Sequence, residues 1–240
     1  MKPNIIYIIS VCSILSSIFA SCGNNGVKGD GNVISQEIPV EIYNEIKADG
    51  ALDLVYESKP DEAAYLRVEA DDNILPLLEI KVKGKTLNIR AKESINPSRF
   101  AIYTNSPTIK YVESKGAASI HLTGHIEGKE LKVKLKGAGD LKADNIAFEK
   151  AEFFLEGAGN MDLSGEAGKA KLEISGNGDI NSGGLQVGEL ECHIKGNGDM
   201  DVNATDKLSI EIKGKGNLTY KGKPQITKQN IKGAGTVKAK

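Results

Sequence analysis

Apolar and polar residues alternate along almost the whole chain beyond Val33, the period of a β-strand with one buried face. Between Gly116 and Gly235 a returning phrase breaks the alternation: Gly137-Ala-Gly-Asp140, Gly157-Ala-Gly-Asn160, Gly176-Asn-Gly-Asp179, Gly196-Asn-Gly-Asp199, Gly214-Lys-Gly-Asn217 and Gly233-Ala-Gly-Thr236. A weaker copy, Gly116-Ala-Ala-Ser119, precedes them. Successive copies lie 21, 20, 19, 20, 18 and 19 residues apart, and a period near 20 marks a solenoid. The flanks repeat as strictly. Two residues ahead of the first Gly stand Leu135, Leu155, Ile174, Ile194, Ile212 and Ile231; four after it stand Ile120, Leu141, Met161, Ile180, Met200, Leu218 and Val237. Each phrase therefore separates two strands. One such unit cannot bury its apolar face alone, whereas parallel copies stacked about 4.8 Å apart turn each column into a continuous core row. The prediction is an all-β fold, a parallel β-helix or solenoid of about 20 residues per coil, right-handed by the general crossover preference.

Gly suits the corner because it accepts φ > 0 and lets neighbouring backbones approach closely. Asp or Asn after it can bond nearby backbone, as in Asx turns. The variation in coil length must be absorbed at an opposite, looser corner, assigned to Gly124, Asp144-Asn145, Gly165, Gly183-Gly184, Asp206 and Gly222.

Residues 112–240 hold the regular repeats; residues 34–111 keep strands but lose the period. Residues 36–46 read as a strand with Pro39 at an edge or bend. Gly50-Ala-Leu-Asp53, with Leu54 and Tyr56, matches the later phrase, yet no copy fills the gap to Gly116. Turns at 58–62 and 83–85 predict two hairpins, 52–56 with 65–70 and 78–82 with 86–90. Residues 71–78 read as a short helix, capped by Asp72 and limited by Pro76. This half is expected to form irregular coils or antiparallel strands that cap the solenoid, since an open edge recruits other strands.

Ahead of the body, residues 1–21 read as a secretory signal: Lys2, then an apolar stretch from Ile5 to Phe19, too short to span a membrane. Phe19-Ala20-Ser21-Cys22 resembles a bacterial lipobox, which implies cleavage before Cys22 and its lipidation. Residues 22–33, rich in Gly and Asn, read as a flexible tether. Cys12 would leave with the signal. Cys192 falls in a core column and reads as a small buried hydrophobe.

The 240 residues carry 31 basic and 32 acidic side chains, interspersed, for a net charge of −1. That balance argues against nucleic acid as a partner. Trp is absent and aromatics make up 5%, consistent with a thin aliphatic interior.

Taken together, Asp49-Gly-Ala-Leu-Asp-Leu54, Val68-Glu-Ala-Asp-Asp-Asn73-Ile-Leu-Pro-Leu-Leu78, Lys85-Thr-Leu-Asn-Ile89 and the Gly-x-Gly-Asp/Asn phrases resemble the bacterial family of putative auto-transporter adhesins, head GIN domain. The resemblance covers roughly residues 40–238. It implies β-helical envelope proteins, often lipoproteins of Bacteroidetes-type bacteria, and brings no catalytic residues with it.

Candidate chemistry is sparse. Asp140, Asn160, Asp179, Asp199 and Asn217 stack into a ladder that could offer oxygen ligands to Ca²⁺. The Ca²⁺-binding β-roll motif recurs every nine residues, however, not every 20, and turn capping explains the ladder without a metal. No P-loop Lys-Ser/Thr follows the glycines. His121, His125 and His193 lack a zinc-ligand pattern, and no Gly-x-Ser-x-Gly elbow is present. Arg occurs only at 67, 90 and 99, outside the repeats. The reading is a non-catalytic, lipid-anchored protein of the cell envelope, on the outer membrane, binding a protein or glycan, with no cofactor, no metal and no catalytic residue. The alternatives are a structural scaffold that self-associates end to end and a carbohydrate-active β-helix enzyme.

Overall fold

The computed structural model describes residues 26–240, so the signal sequence, Cys12 and Cys22 lie outside the described residues. The first strands are β1 (Val27–Lys28), β2 (Val33–Glu37), β3 (Glu45–Asp49), β4 (Asp53–Glu57) and β5 (Tyr65–Asp71). They are followed by β6 (Leu78–Lys83), β7 (Thr86–Ala91), β8 (Ile95–Asn96) and β9 (Phe100–Asn105). The repeats supply β10 (Tyr111–Gly116), β11 (Ser119–Thr123), β12 (Ile126–Gly137), β13 (Leu141–Gly157), β14 (Met161–Gly176), β15 (Ile180–Gly196) and β16 (Met200–Gly214). The chain finishes with β17 (Leu218–Lys221), β18 (Gln225–Gly233) and β19 (Val237–Ala239).

From β10 onward every neighbour is parallel. Gly116 pairs with Gly137, Gly137 with Gly157, Gly157 with Gly176, Gly176 with Gly196, Gly196 with Gly214 and Gly214 with Gly233. The Gly-x-Gly corner thus stays in register through the whole stack. Length differences appear elsewhere, as register shifts between Ala143 and Ile146, between Asp162 and Ser164, and between Asn181 and Gln186. These match the looser corner expected at Asp144-Asn145, Gly165 and Gly183-Gly184; Asp206, assigned to the same corner, instead lies opposite Gly188 at a further corner, with its own register shift between Val187 and Glu189. Asn145, at φ 56°, is the one non-glycine with positive φ among the described residues, and Asn tolerates that region better than most side chains.

Each full coil has three sides rather than two. In the coil after Gly137, burial alternates over Leu141 and Ala143, again over Ile146 and Phe148, and again over Ala151, Phe153 and Leu155. The alternation breaks at Asp144-Asn145 and at Glu149-Lys150, where consecutive side chains face out. The third side, with Ile146, Phe148, Ala167, Leu185, Val187 and Ala204 buried, escapes the periodic reading because the variable corner moves it by one or two positions per coil.

The N-terminal half resolves into rungs and cap together. β3 and β4, around the Gly50 corner, pair in parallel with β10 and β11. β7 and β9 pair in parallel with β3 and β4 and form a further rung. Beyond them the direction reverses: β6 is antiparallel to β7, β5 to β9, and β2 to β5. The 78–82/86–90 hairpin is present, turning at Gly84 (φ 63°). The other expected hairpin is not: β9 lies between β4 and β5. The 58–62 turn survives because buried Asn105 holds it, donating to the carbonyls of Lys59 and Ala63 and accepting the Lys59 N–H.

Three further expectations are corrected. Residues 36–46 form not one strand but the end of β2 and the start of β3, with Pro39 in the link; proline has no N–H for a ladder. The helix at 71–78 shrinks to a 3-10 turn over Leu75–Leu77, whose N-cap is Ile74 and has no side-chain cap bond. The predicted tether is docked from Gly26 onward, with β1 parallel to β8. Asp71 ties it down: fully buried, its carboxylate accepts the Ser98 hydroxyl at 2.5 Å, the Gly31 N–H at 2.8 Å and the Ser98 N–H at 2.8 Å. Those donors, Ser98 hydroxyl first, hold its pKa down at about 2. One apolar core, from Tyr43 to Leu218, runs through cap and repeats alike.

Candidate binding faces

The two glycines of each corner have different tasks. The first takes positive φ, from 105° at Gly116 to 148° at Gly157 and Gly176. The second does not; it permits contact between rungs. A Cβ on Gly198 would sit 1.9 Å from the carbonyl oxygen of Gly178. This closeness lets two backbone bonds stitch each corner, such as Asn197 N–H to the Gly176 carbonyl and Ile180 N–H to the Asp199 carbonyl, both 3.0 Å.

The Asp/Asn ladder joins rungs rather than capping its own turn. Asp140 Oδ1 accepts the Asn160 N–H at 2.8 Å, Asp179 Oδ1 the Asp199 N–H at 2.7 Å, and Asp199 Oδ1 the Asn217 N–H at 2.6 Å. Asn160 Oδ1 takes the Asp179 N–H at 3.4 Å, and Asn217 Oδ1 accepts from the Thr236 hydroxyl at 2.7 Å. Each rung therefore supplies an acceptor for the next one. No cluster of three or more His, Cys, Asp or Glu suited to a metal occurs among the described residues.

The side that precedes the corner presents a charged face. Lys132, Lys134 and Lys136 on one rung face Glu152, Phe154 and Glu156 on the next. Glu152 bonds Lys132 at 2.9 Å and Lys150 at 2.7 Å; Lys150 and then Lys132 hold it below the usual carboxylate range. Glu189 lies between Lys207 and Lys169 in the same way. Lys213 and Lys228 hold Glu211 down at about 2. Phe154, outward-facing, has Lys132 4.8 Å and Lys171 5.6 Å from its ring centroid. The result is an axial face of interspersed, paired Lys and Glu with one aromatic platform.

Around the next corner the third side is hollow. Gly128, Gly168 and Gly188 lack side chains there, and Glu149, Glu166 and Asp206 flank them, enclosing an open groove of about 750 Å³ across several rungs. It abuts a second hollow of about 460 Å³ lined by the Lys150, Lys169, Lys207 and Glu189 ladder. Sequence reading missed this groove. Its signal was present in the glycines at 128, 168 and 188, which fall outside the main phrase.

The singled-out residues take bland positions. His121 and His125 are exposed, and His125 lies 3.3 Å from Glu127. His193 faces outward and meets Glu191 at 2.5 Å. Cys192 is fully buried in register with Leu172 and Ile210, and burial pushes its thiol pKa far up. All three arginines sit in the N-terminal half, Arg67 and Arg99 sharing Glu69 and Arg90 paired with Glu79.

A capped stack of parallel coils with polar, periodic outer faces defines the class: a β-solenoid. A sequence profile of the family described as "Putative auto-transporter adhesin, head GIN domain" matches residues 42–224, and the chain belongs to that family. Among solved structures, one described as a putative adhesin from Bacteroides fragilis superposes with a TM-score of 0.84 at 28% identity, covering 90% of this chain and 100% of that one. A putative adhesin from Parabacteroides distasonis gives 0.73 at 30% identity, covering 90% and 100%. A structure from the same species described as a putative lipid binding protein gives 0.74 at 26% identity, covering 89% and 99%. A search of curated proteins finds no match.

Proposed function

We propose that this protein is a non-catalytic, adhesin-type binding module of the cell envelope, lipid-anchored through Cys22 on the outer membrane, whose lateral faces take a protein or glycan. The observation that carries the reading is the groove beside the Lys–Glu ladder. It runs across successive rungs and repeats similar groups at each step, which suits an extended polar ligand. The family's description and those of the structural relatives agree with a binding role.

The test is an array of glycans and envelope extracts probed with residues 26–240, with and without Ca²⁺. Saturable binding to one class, weakened by Glu166→Lys and Asp206→Lys in the groove, is the expected result, and it should be independent of Ca²⁺ because the ladder oxygens already accept hydrogen bonds. Silence across the array, or turnover of a bound glycan, would overturn the reading. For the anchor, mass spectrometry of the full chain expressed in a bacterial host should show a diacylglyceryl mass on Cys22, absent in Cys22→Ser.

A further inference from the structure

The open end of the solenoid differs from the rest of the molecule in charge. Beyond Glu211 the chain contains eight lysines and no Asp or Glu. The preceding residues carry the other 23 basic side chains against all 32 acidic ones. Lys213 and Lys228 share Glu211, and Lys240 meets Asp201 at 2.6 Å. Lys215, Lys221, Lys223, Lys232 and Lys238 are exposed and have no carboxylate partner among the described residues.

This end is also an unfinished sheet. β18 pairs with β16 and β19 with β17, each on one side only. Residues of a parallel strand point their backbone groups alternately to the two neighbours. Ala234 N–H bonds inward to the Gly214 carbonyl and Lys240 N–H to the Tyr220 carbonyl. By that alternation Gln229, Ile231, Val237 and Ala239 present N–H and C=O outward, as the Gly214 carbonyl does toward Ala234 one rung earlier. Ile226 is exposed there, and Ile231 and Val237 are half-buried. The far end is different: its parallel rungs finish in antiparallel β6, β5 and β2.

We propose that this end is a docking site for an extended acidic polypeptide segment, which adds as the next strand beyond β18 and β19. The open backbone edge supplies directional hydrogen bonds, as in strand addition generally, and the lysines select for acidic side chains. A second copy's same end does not fit, because two lysine-only edges repel. The anchoring membrane does not fit either. The described chain starts at the cap, where Gly26 packs against Ile95, and the basic edge is at the opposite end of the stack. This inference extends the binding reading to another part of the molecule and does not depend on what the lateral groove takes.

The probe is a fluorescein-labelled ten-residue peptide alternating Glu with Val and Thr, titrated by fluorescence anisotropy with residues 26–240, which contain the whole core. Saturable binding is expected, weakened about tenfold or more by the triple variant Lys223→Glu, Lys232→Glu, Lys238→Glu and by high salt. Gln229→Pro removes one outward N–H with no native partner, so it should weaken binding while the thermal melt stays unchanged. The same peptide N-methylated at alternate residues should not bind. Retained binding of the methylated peptide would overturn strand addition and leave charge attraction alone. Stronger binding to vesicles containing anionic lipid, or to duplex DNA, would reassign the edge and overturn the proposal. No binding by the folded protein would also overturn it; the lysines would then serve only to keep copies apart. The array with the lysine variants separates the two readings, since the lateral groove is untouched in them.

Discussion

Gly198→Ala adds a single carbon at the middle of the stack. The φ of Gly198 is outside the left-handed range, so Ala meets no backbone strain of its own. The new Cβ would lie 1.9 Å from the Gly178 oxygen and 3.2 Å from Ile174 Cγ2. Ordinary contact begins at 3.4 Å, so the two rungs must part by about 1.5 Å at the corner. Three bonds bridge that gap: Asn197 N–H to Gly176 O at 3.0 Å, Ile180 N–H to Asp199 O at 3.0 Å, and Asp199 N–H to Asp179 Oδ1 at 2.7 Å. A displacement of that size takes them beyond hydrogen-bond range, and at about 1 kcal/mol net each the loss is ~3 kcal/mol. For a domain stable by about 5–15 kcal/mol this is a large fraction. Gly84→Ala is the comparison: nothing lies within 4 Å and φ is 63°, so only the left-handed penalty of about 1–2 kcal/mol applies. The assay is urea unfolding followed by far-ultraviolet circular dichroism, since the chain has no Trp. A loss for Gly198→Ala no larger than that for Gly84→Ala would refute the close-packed corner.

Asp199→Ala should cost about 1–2 kcal/mol, because the Asn217 N–H and Nδ2 both donate to Asp199 Oδ1, at 2.6 and 3.1 Å. Asp199→Asn keeps an acceptor and should recover most of the loss; equal destabilisation by both would count against the ladder. Stability should also fall in acid. Glu211 is depressed from 4.5, and Asp71 from 3.8, to about 2. The unfolded chain therefore binds protons first as pH drops, so their contribution is complete above about pH 5 and is lost progressively down to about pH 2. Urea midpoints flat across that window, or rising toward acid, would contradict the assignment.

Much of the fold was legible because a solenoid is written locally. Leu135, Leu155, Ile174 and Ile194 recur at one offset from a glycine, and their columns are the core rows of the structure. The Gly50 phrase was legible as a rung although its neighbour β10 comes 66 residues later, as the pairing of Ala48 with Ser114 shows. The groove was less legible. Gly128, Gly168 and Gly188 matter through the missing side chains of one hollow side, and that side shifts along the sequence whenever the second corner gains or loses a residue. The ladder was visible as a column of Asp and Asn, but not its direction: bonding to the next rung rather than the same turn depends on the spacing between backbones.

Alternation and the Gly-x-Gly phrase by themselves determined the glycine corner, the strands that flank it and their parallel stacking in register, because each rung repeats that part of the instruction in full. Only the tertiary structure decided which strands neighbour one another before Tyr111. β9 enters between β4 and β5, and β2 closes the edge, because a strand's partner is chosen by which buried face and backbone edge remain open once others have formed. It also decided the fate of Asp71, which resembles a surface acid in the chain. Placed among the N–H groups of Gly31 and Ser98, it is an anchor for the segment expected to hang free. A lone carboxylate encodes no partner; the convergence of distant donors gives it one.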